Sequence, residues 1–325
     1  MIRHVLAAAL ALTPLTAAAD GPSGRLVLYT SQPNADAQAT VDAFMAAHPA
    51  VTVDWVRDGT TQLMAKLRAE FEAGAPQPDV LLIADSVTME ALKAEGRLMA
   101  HPDADVSAYD PALMDPDRHW FSTKLITTGI AYNTAAPIVP ESYRDVIAPE
   151  AAAAFMMPSP LTSGAATIHM VSIAENPALG WEIYEQLGEN GAVASGGNGG
   201  VLNAIASGEK LYGFLVDFMA IREAAKGAPV GFVFPTEGVS AVTEPVAILS
   251  TAQNPEAAKA FVDFLISVEG QQVAAEMGYM PAHPGVTPPE GFPALADIAI
   301  LPFDPARALA EDEANKKKFA DIFEN

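Results

Sequence analysis

Cysteine is absent from all 325 residues. Disulfides, thiolate metal sites, cysteine nucleophiles and lipid attachment at a cleavage-site cysteine are thereby excluded. Basic residues are scarce, 18 Lys and Arg against 40 Asp and Glu, and the formal charge is −22. Nucleic acid and anionic membrane surfaces are poor partners for such a chain. Solubility in a salty habitat is the plainer meaning of the charge, which does not forbid a small anionic ligand, because local amides and hydroxyls decide that. Long apolar runs are missing too. The apolar stretch Val5–Leu12 is too short to span a bilayer.

Familiar catalytic signatures are also lacking. No Gly-x-Ser-x-Gly elbow, Walker loop, His-Glu-x-x-His or complete Gly-x-Gly-x-x-Gly occurs. The histidines at 4, 48, 101, 119, 169 and 283 stand alone, none at metal-ligand spacing. Ser207-Gly-Glu-Lys210 fits Ser-x-x-Lys, but its companions Ser-Asp-Asn and Lys-Thr-Gly are missing, so it reads as an exposed turn. An enzyme is not expected, and neither a cofactor nor a metal.

What is present begins with residues 1–19, which read as a secretory signal. Arg3 and His4 precede the apolar stretch, and Ala17-Ala18-Ala19 offers a cleavage site before Asp20. The expected location is the periplasm, with no direct insertion into the membrane. The remainder is long for a single core and suits two lobes; one large doubly wound domain is the alternative.

Strand and helix patterns alternate along the chain. Strands are expected at Arg25–Tyr29, Val51–Arg57, Asp79–Ile83, Lys124–Asn133, Phe155–Met157, Tyr212–Val216, Val230–Phe234 and Pro245–Leu249. Helices are expected at Asp36–His48, Thr60–Ala73, Ser86–Glu95, Gly164–Ala174, Gly180–Asn190, Gly199–Ser207, Met219–Ala225, Asn254–Ser267 and Gln271–Met277. In the first helix Ala39, Phe44 and Ala47 are candidates for the inner face. Lys124–Asn133 and Pro245–Leu249 read as two crossovers between lobes: residues 20–127 with 247–325, and residues 128–246. Two crossovers place a cleft between the lobes, where small molecules bind.

Small polar residues stand just ahead of several helices: Ser31 and Gln32; Asp58-Gly59-Thr60-Thr61; Asp85-Ser86; Thr162-Ser163-Gly164-Ala165; and Gly196-Gly197-Asn198-Gly199-Gly200. Any one of them can be a simple helix cap. As a set spread over both halves, they fit an anion held by converging amides and hydroxyls. Glycines at 164, 199 and 200 would let the backbone approach a ligand closely.

The order Leu28-Tyr-Thr-Ser-Gln32, Arg57-Asp-Gly-Thr-Thr61, Asp79-Val-Leu, Asp85-Ser, Tyr132-Asn, Met157-Pro-Ser-Pro, Ser163-Gly-Ala and Ala206-Ser-Gly-Glu resembles the ferric-type extracellular solute-binding proteins of ABC importers. The resemblance covers nearly the whole chain after the signal. It implies an α/β, two-lobed periplasmic-binding-protein fold of type II with two crossover strands, hinge closure over a ligand, and delivery to a membrane permease. A monomer is the usual form of the class. Presentation of the ligand to a sensor instead of a permease is the alternative.

Iron-binding members carry a consecutive tyrosine pair after the Gly-Glu turn. Here the turn is followed by Tyr212-Gly-Phe-Leu-Val-Asp-Phe-Met-Ala220, which puts Phe218 and Met219 in those slots and Asp217 before them. Ferric iron prefers oxygen ligands, which Phe and Met do not supply. The anion half of the family site matches, at Ser163, Gly164, Ala165 and Asn198. The resemblance therefore implies a directly bound organic anion, a phosphate or phosphonate such as 2-aminoethylphosphonate or a sugar phosphate. The anion would sit on Ser31, Thr60, Thr61, Ser163, Gly164 and Ala165. An amine or hydroxyls would meet Asp217 or Glu237, and Phe218, Tyr212, Tyr29 and Trp120 could form an apolar wall. A helix cap is the other role open to Asp217. The alternatives are ferric iron with a synergistic anion and a periplasmic hydrolase or transferase.

Overall fold

The computed structural model describes residues 21–293 and 297–323; the expected signal segment, residues 1–19, lies outside them. The first part of the chain runs β1 (Gly24–Thr30), α1 (Asn34–Ala47), β2 (Val51–Arg57), α2 (Thr60–Glu72), β3 (Val80–Leu82), α3 (Ser86–Ala94), β4 (Leu98–Met99) and β5 (Trp120–Ser122). It continues with β6 (Lys124–Asn133), α4 (Pro149–Ala153), β7 (Phe155–Met157), α5 (Gly164–Glu175), α6 (Glu182–Glu189), β8 (Val193–Ala194), α7 (Asn198–Ser207) and β9 (Tyr212–Val216). The last part is α8 (Asp217–Ala225), β10 (Val230–Val233), β11 (Ser240–Val242), β12 (Pro245–Leu249), α9 (Pro255–Ile266), α10 (Val268–Glu276), β13 (Met280–Pro281) and α11 (Pro305–Phe323).

Two sheets result. The first has the order β2-β1-β3-β12-β4, with β5 on β12; the second has the order β10-β6-β9-β7-β8, with β11 and β13 on β6. β1 lies parallel to both β2 and β3, and β12 returns antiparallel on β3. Leu26, Val27, Leu28 and Tyr29 are all buried, because helices cover both faces of this sheet and leave no polar side for the strand to show. The chain passes from the first sheet to the second at β5–β6 and back at β11–β12, and after α10 it meets the second sheet again through β13, which pairs with the start of β6. The architecture is thus two-lobed α/β, not one doubly wound domain. No helix among the described residues is long and apolar enough to cross a membrane.

In α1 the buried face is Ala37, Val41 and Phe44, at i, i+4 and i+7. Phe44 meets Phe261 edge-on at 4.9 Å. Of the residues expected inward, Phe44 is buried, whereas Ala47 is exposed and Ala39 only half-buried. The helix begins at Asn34, two residues ahead of the expected start. α9 and α10 close the first lobe. α11 has no counterpart among the expected helices, and it departs from the assignment of residues 247–325 to the first lobe. It lays Ala308 and Phe319 into the second lobe's core, with Phe319 5.5 Å from the Tyr184 ring, while also touching α3. Its charge-rich sequence hides a narrow apolar stripe that only these neighbours make useful.

Candidate functional site

A cavity of about 490 Å³ lies between the lobes, within the usual range for a small-molecule site. The first lobe lines it with Ser31, Pro33, Asn34, Arg57, Gly59, Thr60 and Ala84. The second contributes Thr162–Ala165, Gly197–Gly200, Val216, Phe218 and Met219, and the crossings add Ile126 and Glu244. Residues singled out from the sequence are thus brought together: Ser31, Thr60, Thr162, Ser163, Gly164, Ala165, Asn198 and Phe218, with Gly199 and Gly200 beside them.

The walls are largely helix starts. α1, α2 and α7 begin at the cavity behind Pro33, Gly59 and Gly197, none of which provides a side-chain cap. Their first-turn amides have no intrahelical partner and carry the positive end of the helix dipole. α5 is capped by Ser163 Oγ, which accepts from the Ala166 amide at 3.4 Å and from Asn198 Nδ2 at 3.5 Å. Asn198 Oδ1 accepts from the Val216 amide at 3.3 Å and so ties α7 to the end of β9. Ser31 Oγ accepts from the Ala84 amide at 2.9 Å, which leaves its own proton free to be donated. Thr162 Oγ1 donates to the Gly196 carbonyl at 2.7 Å and holds the loop before α7.

Among the described residues Arg57 is the one cation in the lining, and in the sequence it reads as a strand end. Its Nε donates to the Gln32 carbonyl at 2.9 Å. Among the described residues nothing holds Nη1 or Nη2, so the guanidinium fork is anchored at one nitrogen and open at two. Such a fork matches a phosphate, phosphonate or carboxylate bidentately. Its signal in the sequence was its place directly ahead of Asp58-Gly-Thr-Thr61, the turn that starts α2. Glu244, the one carboxylate in the lining among the described residues, was also missed; its Oε2 lies 2.5 Å from Lys124 Nζ.

The remaining candidates lie elsewhere. Asp217 is 1 % exposed but turned away from the cavity. Its Oδ2 accepts from the Thr127 amide at 3.0 Å and the Thr127 hydroxyl at 2.7 Å, and its Oδ1 from the Phe218 amide at 2.6 Å. Burial pushes its pKa up to about 6 in spite of these donors. It fastens the start of α8 to β6. Glu237 likewise is occupied outside the cavity, with Oε1 accepting from Ser142 Oγ at 2.5 Å.

Gln32 is buried beside the cavity, donating from Nε2 to Glu244 Oε2 at 3.1 Å. Asp85 caps α3 by accepting from the Val87 and Thr88 amides, and burial raises its pKa. Asp85 and Thr61 line a separate cavity of about 210 Å³ on the other side of the seam formed by Thr60 and Gly164. Ser86 is buried at the start of α3 and lines neither space. Tyr29 and Tyr212 spend their hydroxyls on Glu70 and on the Ile138 backbone, and Trp120 donates to Glu90, so none forms a cavity wall. Phe218 does, with its ring 4.3 Å from that of Tyr279 and the Arg222 guanidinium 4.5 Å over it.

The lobes meet along the mouth of the cavity. A Cβ placed on Gly164 would stand 2.7 Å from both the Ala84 carbonyl oxygen and Asp85 Cβ, and one on Gly59 would stand 3.0 Å from the Thr162 carbonyl oxygen. Arg222 Nη1 of α8 donates to both oxygens of Asp36 in α1, at 3.0 and 2.9 Å, and Tyr279 also donates to Asp36. These contacts reach from one lobe to the other beside the site.

Two lobes joined by chain crossings, with donors from both facing one cavity, make a site for a small molecule between them. The chain belongs to the bacterial extracellular solute-binding protein family, whose model matches residues 29–272. Membership implies a small-molecule ligand and an ABC permease as partner, and the family is one of binding proteins. An uncharacterized protein of Haemophilus influenzae is 28% identical over 272 residues, which is 78% of this chain and 76% of the other. The fold matches that of the periplasmic binding protein AfuA from Actinobacillus pleuropneumoniae, solved with exogenous fructose-6-phosphate bound. There the TM-score is 0.85 and the identity 22%, covering 92% of this chain and 98% of that one. Iron-bound HitA from Pseudomonas aeruginosa matches at TM-score 0.78 and 21% identity, over 91% and 99% of the two chains.

Proposed function

We propose that this protein is the exported binding component of an ABC importer, and that its cargo is a small organic anion with a phosphate or phosphonate group. The observation that carries the reading is the Arg57 fork, open at two nitrogens, in the same cavity as three uncapped helix starts and the Ser31, Thr60 and Ser163 hydroxyls. These donors suit a tetrahedral oxyanion, and contacts from both lobes favour the closed state over the open one. AfuA, of the same fold, was solved with a phosphate ester bound, which is consistent with this reading.

Ferric iron suits the cavity less well. Phe218 and Met219 bring no oxygen to it, and among the described residues no tyrosine lines it and its single carboxylate is already paired with Lys124. A hydrolase or transferase would need a nucleophile activated by a base; among the described residues the lining contains no histidine, and Ser31 and Ser163 accept hydrogen bonds from backbone amides.

Thermal-shift screening with 2-aminoethylphosphonate, sugar phosphates, inorganic phosphate, carboxylates and ferric salts tests the reading. A ligand at about 100 times its Kd stabilises by ~2.7 kcal/mol, so a phosphate or phosphonate should stand out. Stabilisation by ferric salts or plain carboxylates alone would refute it.

A further inference from the structure

Beyond the anion donors, the cavity holds a second polar feature at its hinge. Glu244 stands between β11 and β12, at one of the chain crossings, and is 2 % exposed. Its φ of 38° is in the left-handed region, which burdens any side chain longer than those of Asn and Asp and marks a position held by its surroundings. The Thr123 hydroxyl donates to its carbonyl at 2.8 Å. Its Oε2 serves both Lys124 Nζ, at 2.5 Å, and Gln32 Nε2, at 3.1 Å. Among the described residues no group holds Oε1, and Glu244 lines the cavity. Lys124 opens β6 at the β5–β6 crossing and lies 4.0 Å from the centre of the Tyr279 ring, so the ion pair ties these two crossings together.

We infer that Glu244 Oε1 accepts a hydrogen bond from a hydroxyl of the bound cargo, so that the cargo is a hydroxylated phosphate ester and not an aminoalkylphosphonate. The inference rests on the anion-site reading above and narrows it. Its ground is charge. Lys124, 2 % exposed at its side chain, already balances Glu244 in a place screened from water. An ammonium brought to Oε1 would be a second cation beside Lys124, repelled by it and stripped of its own hydration. A hydroxyl donates without adding charge and uses the carboxylate oxygen that the protein leaves over. Because Glu244 sits at the crossing itself, the contact forms at the pivot of closure.

Calorimetric titration of the whole protein with glucose 6-phosphate, glycerol 3-phosphate, propyl phosphate, 2-aminoethylphosphonate and inorganic phosphate provides the test. A hydroxylated ester should bind at least tenfold more tightly than 2-aminoethylphosphonate, and glycerol 3-phosphate at least fivefold more tightly than propyl phosphate, which lacks its hydroxyls. Glu244→Asp keeps a carboxylate for Lys124 and tolerates the left-handed backbone, but withdraws the oxygens by one methylene. It should weaken the hydroxylated ester about tenfold and leave inorganic phosphate within twofold. The comparison of the two esters on the unaltered protein needs no variant and decides the matter even if Glu244→Asp fails to fold. Tighter binding of 2-aminoethylphosphonate, or equal binding of the two esters, overturns the role of Glu244 while the anion site stands. Binding of none of the five overturns the anion-site reading, and this inference with it.

Discussion

Replacing Gly164 by alanine separates closure from folding. Gly164 is the first residue of α5, in ordinary helical conformation, so alanine suits the isolated lobe at least as well. The added Cβ would meet the Ala84 carbonyl oxygen and Asp85 Cβ at 2.7 Å and Thr60 Oγ1 at 3.1 Å, all of them across the cleft. Ordinary contact needs roughly 3.5 Å, so the lobes would have to part by about 0.8 Å at the anion site. Overpacking of this kind costs about 1–3 kcal/mol, and here the cost falls on the closed state alone. The expected result is a ligand-free melting temperature equal to or slightly above that of the unaltered protein, with affinity lowered roughly 5- to 150-fold. Calorimetric titration with the best phosphate or phosphonate ligand, beside calorimetric melting of the free protein, reads both numbers. Unchanged affinity would refute the argument that closure brings Gly164 against Ala84 and Asp85 around the ligand.

Three further predictions follow from other contacts. Arg222→Ala removes the ion pair with Asp36, made through Nη1 alone, that joins α8 to α1; charged hydrogen bonds are worth ~1.5–3 kcal/mol, so the ligand-free protein should become more open in small-angle scattering, and an unchanged profile would count against an interlobe clasp. Burial lowers the His169 pKa to about 3 and raises that of Asp217 to about 6. Below pH 6.5 the unfolded chain binds a proton that folded His169 refuses, so stability is lost as pH falls toward 3; for Asp217 the unfolded chain gives up its proton first, so stability is lost as pH rises from about 4 to 6. Each contributes a slope of ~1.4 kcal/mol per pH unit, opposite in sign, so His169→Gln and Asp217→Asn should tilt stability in opposite directions between pH 4 and 6; parallel curves in denaturant titrations would contradict this. Ferric salts should produce no visible phenolate band, since among the described residues no tyrosine lines the cavity; a band appearing on titration would restore the iron reading.

The strand–turn–helix units were legible because their cause is local. Val51–Arg57, Lys124–Asn133, Tyr212–Val216 and Pro245–Leu249 are strands with the expected bounds, since apolar runs bounded by turn residues leave little choice. Small polar residues ahead of helices pointed to Ser31, Thr60, Ser163, Gly164 and Asn198, which the lobes do bring together. That signal did not distinguish a helix start that meets the cavity from one that serves its own lobe. Asp85 and Asp217 have the same local look, yet their carboxylates are spent on α3 and on Thr127. Arg57 and Glu244 were hidden for the opposite reason. Each reads as an ordinary polar residue beside a strand, and its position at the cavity arises only from the packing of one lobe against the other. α11 was missed because its apolar stripe is narrow and its partners, Tyr184 and α3, are distant in sequence.

The central claim is that Arg57 and the surrounding helix starts hold a phosphate or phosphonate between the lobes. Titration of the unaltered protein and of Arg57→Ala with one phosphate ester, in the same buffer, tests it most directly. A charged hydrogen-bonding fork contributes about 1.5–3 kcal/mol, so the variant should bind roughly 10- to 150-fold more weakly while melting at the same temperature without ligand. Equal affinity of the two proteins for that ester would contradict the account.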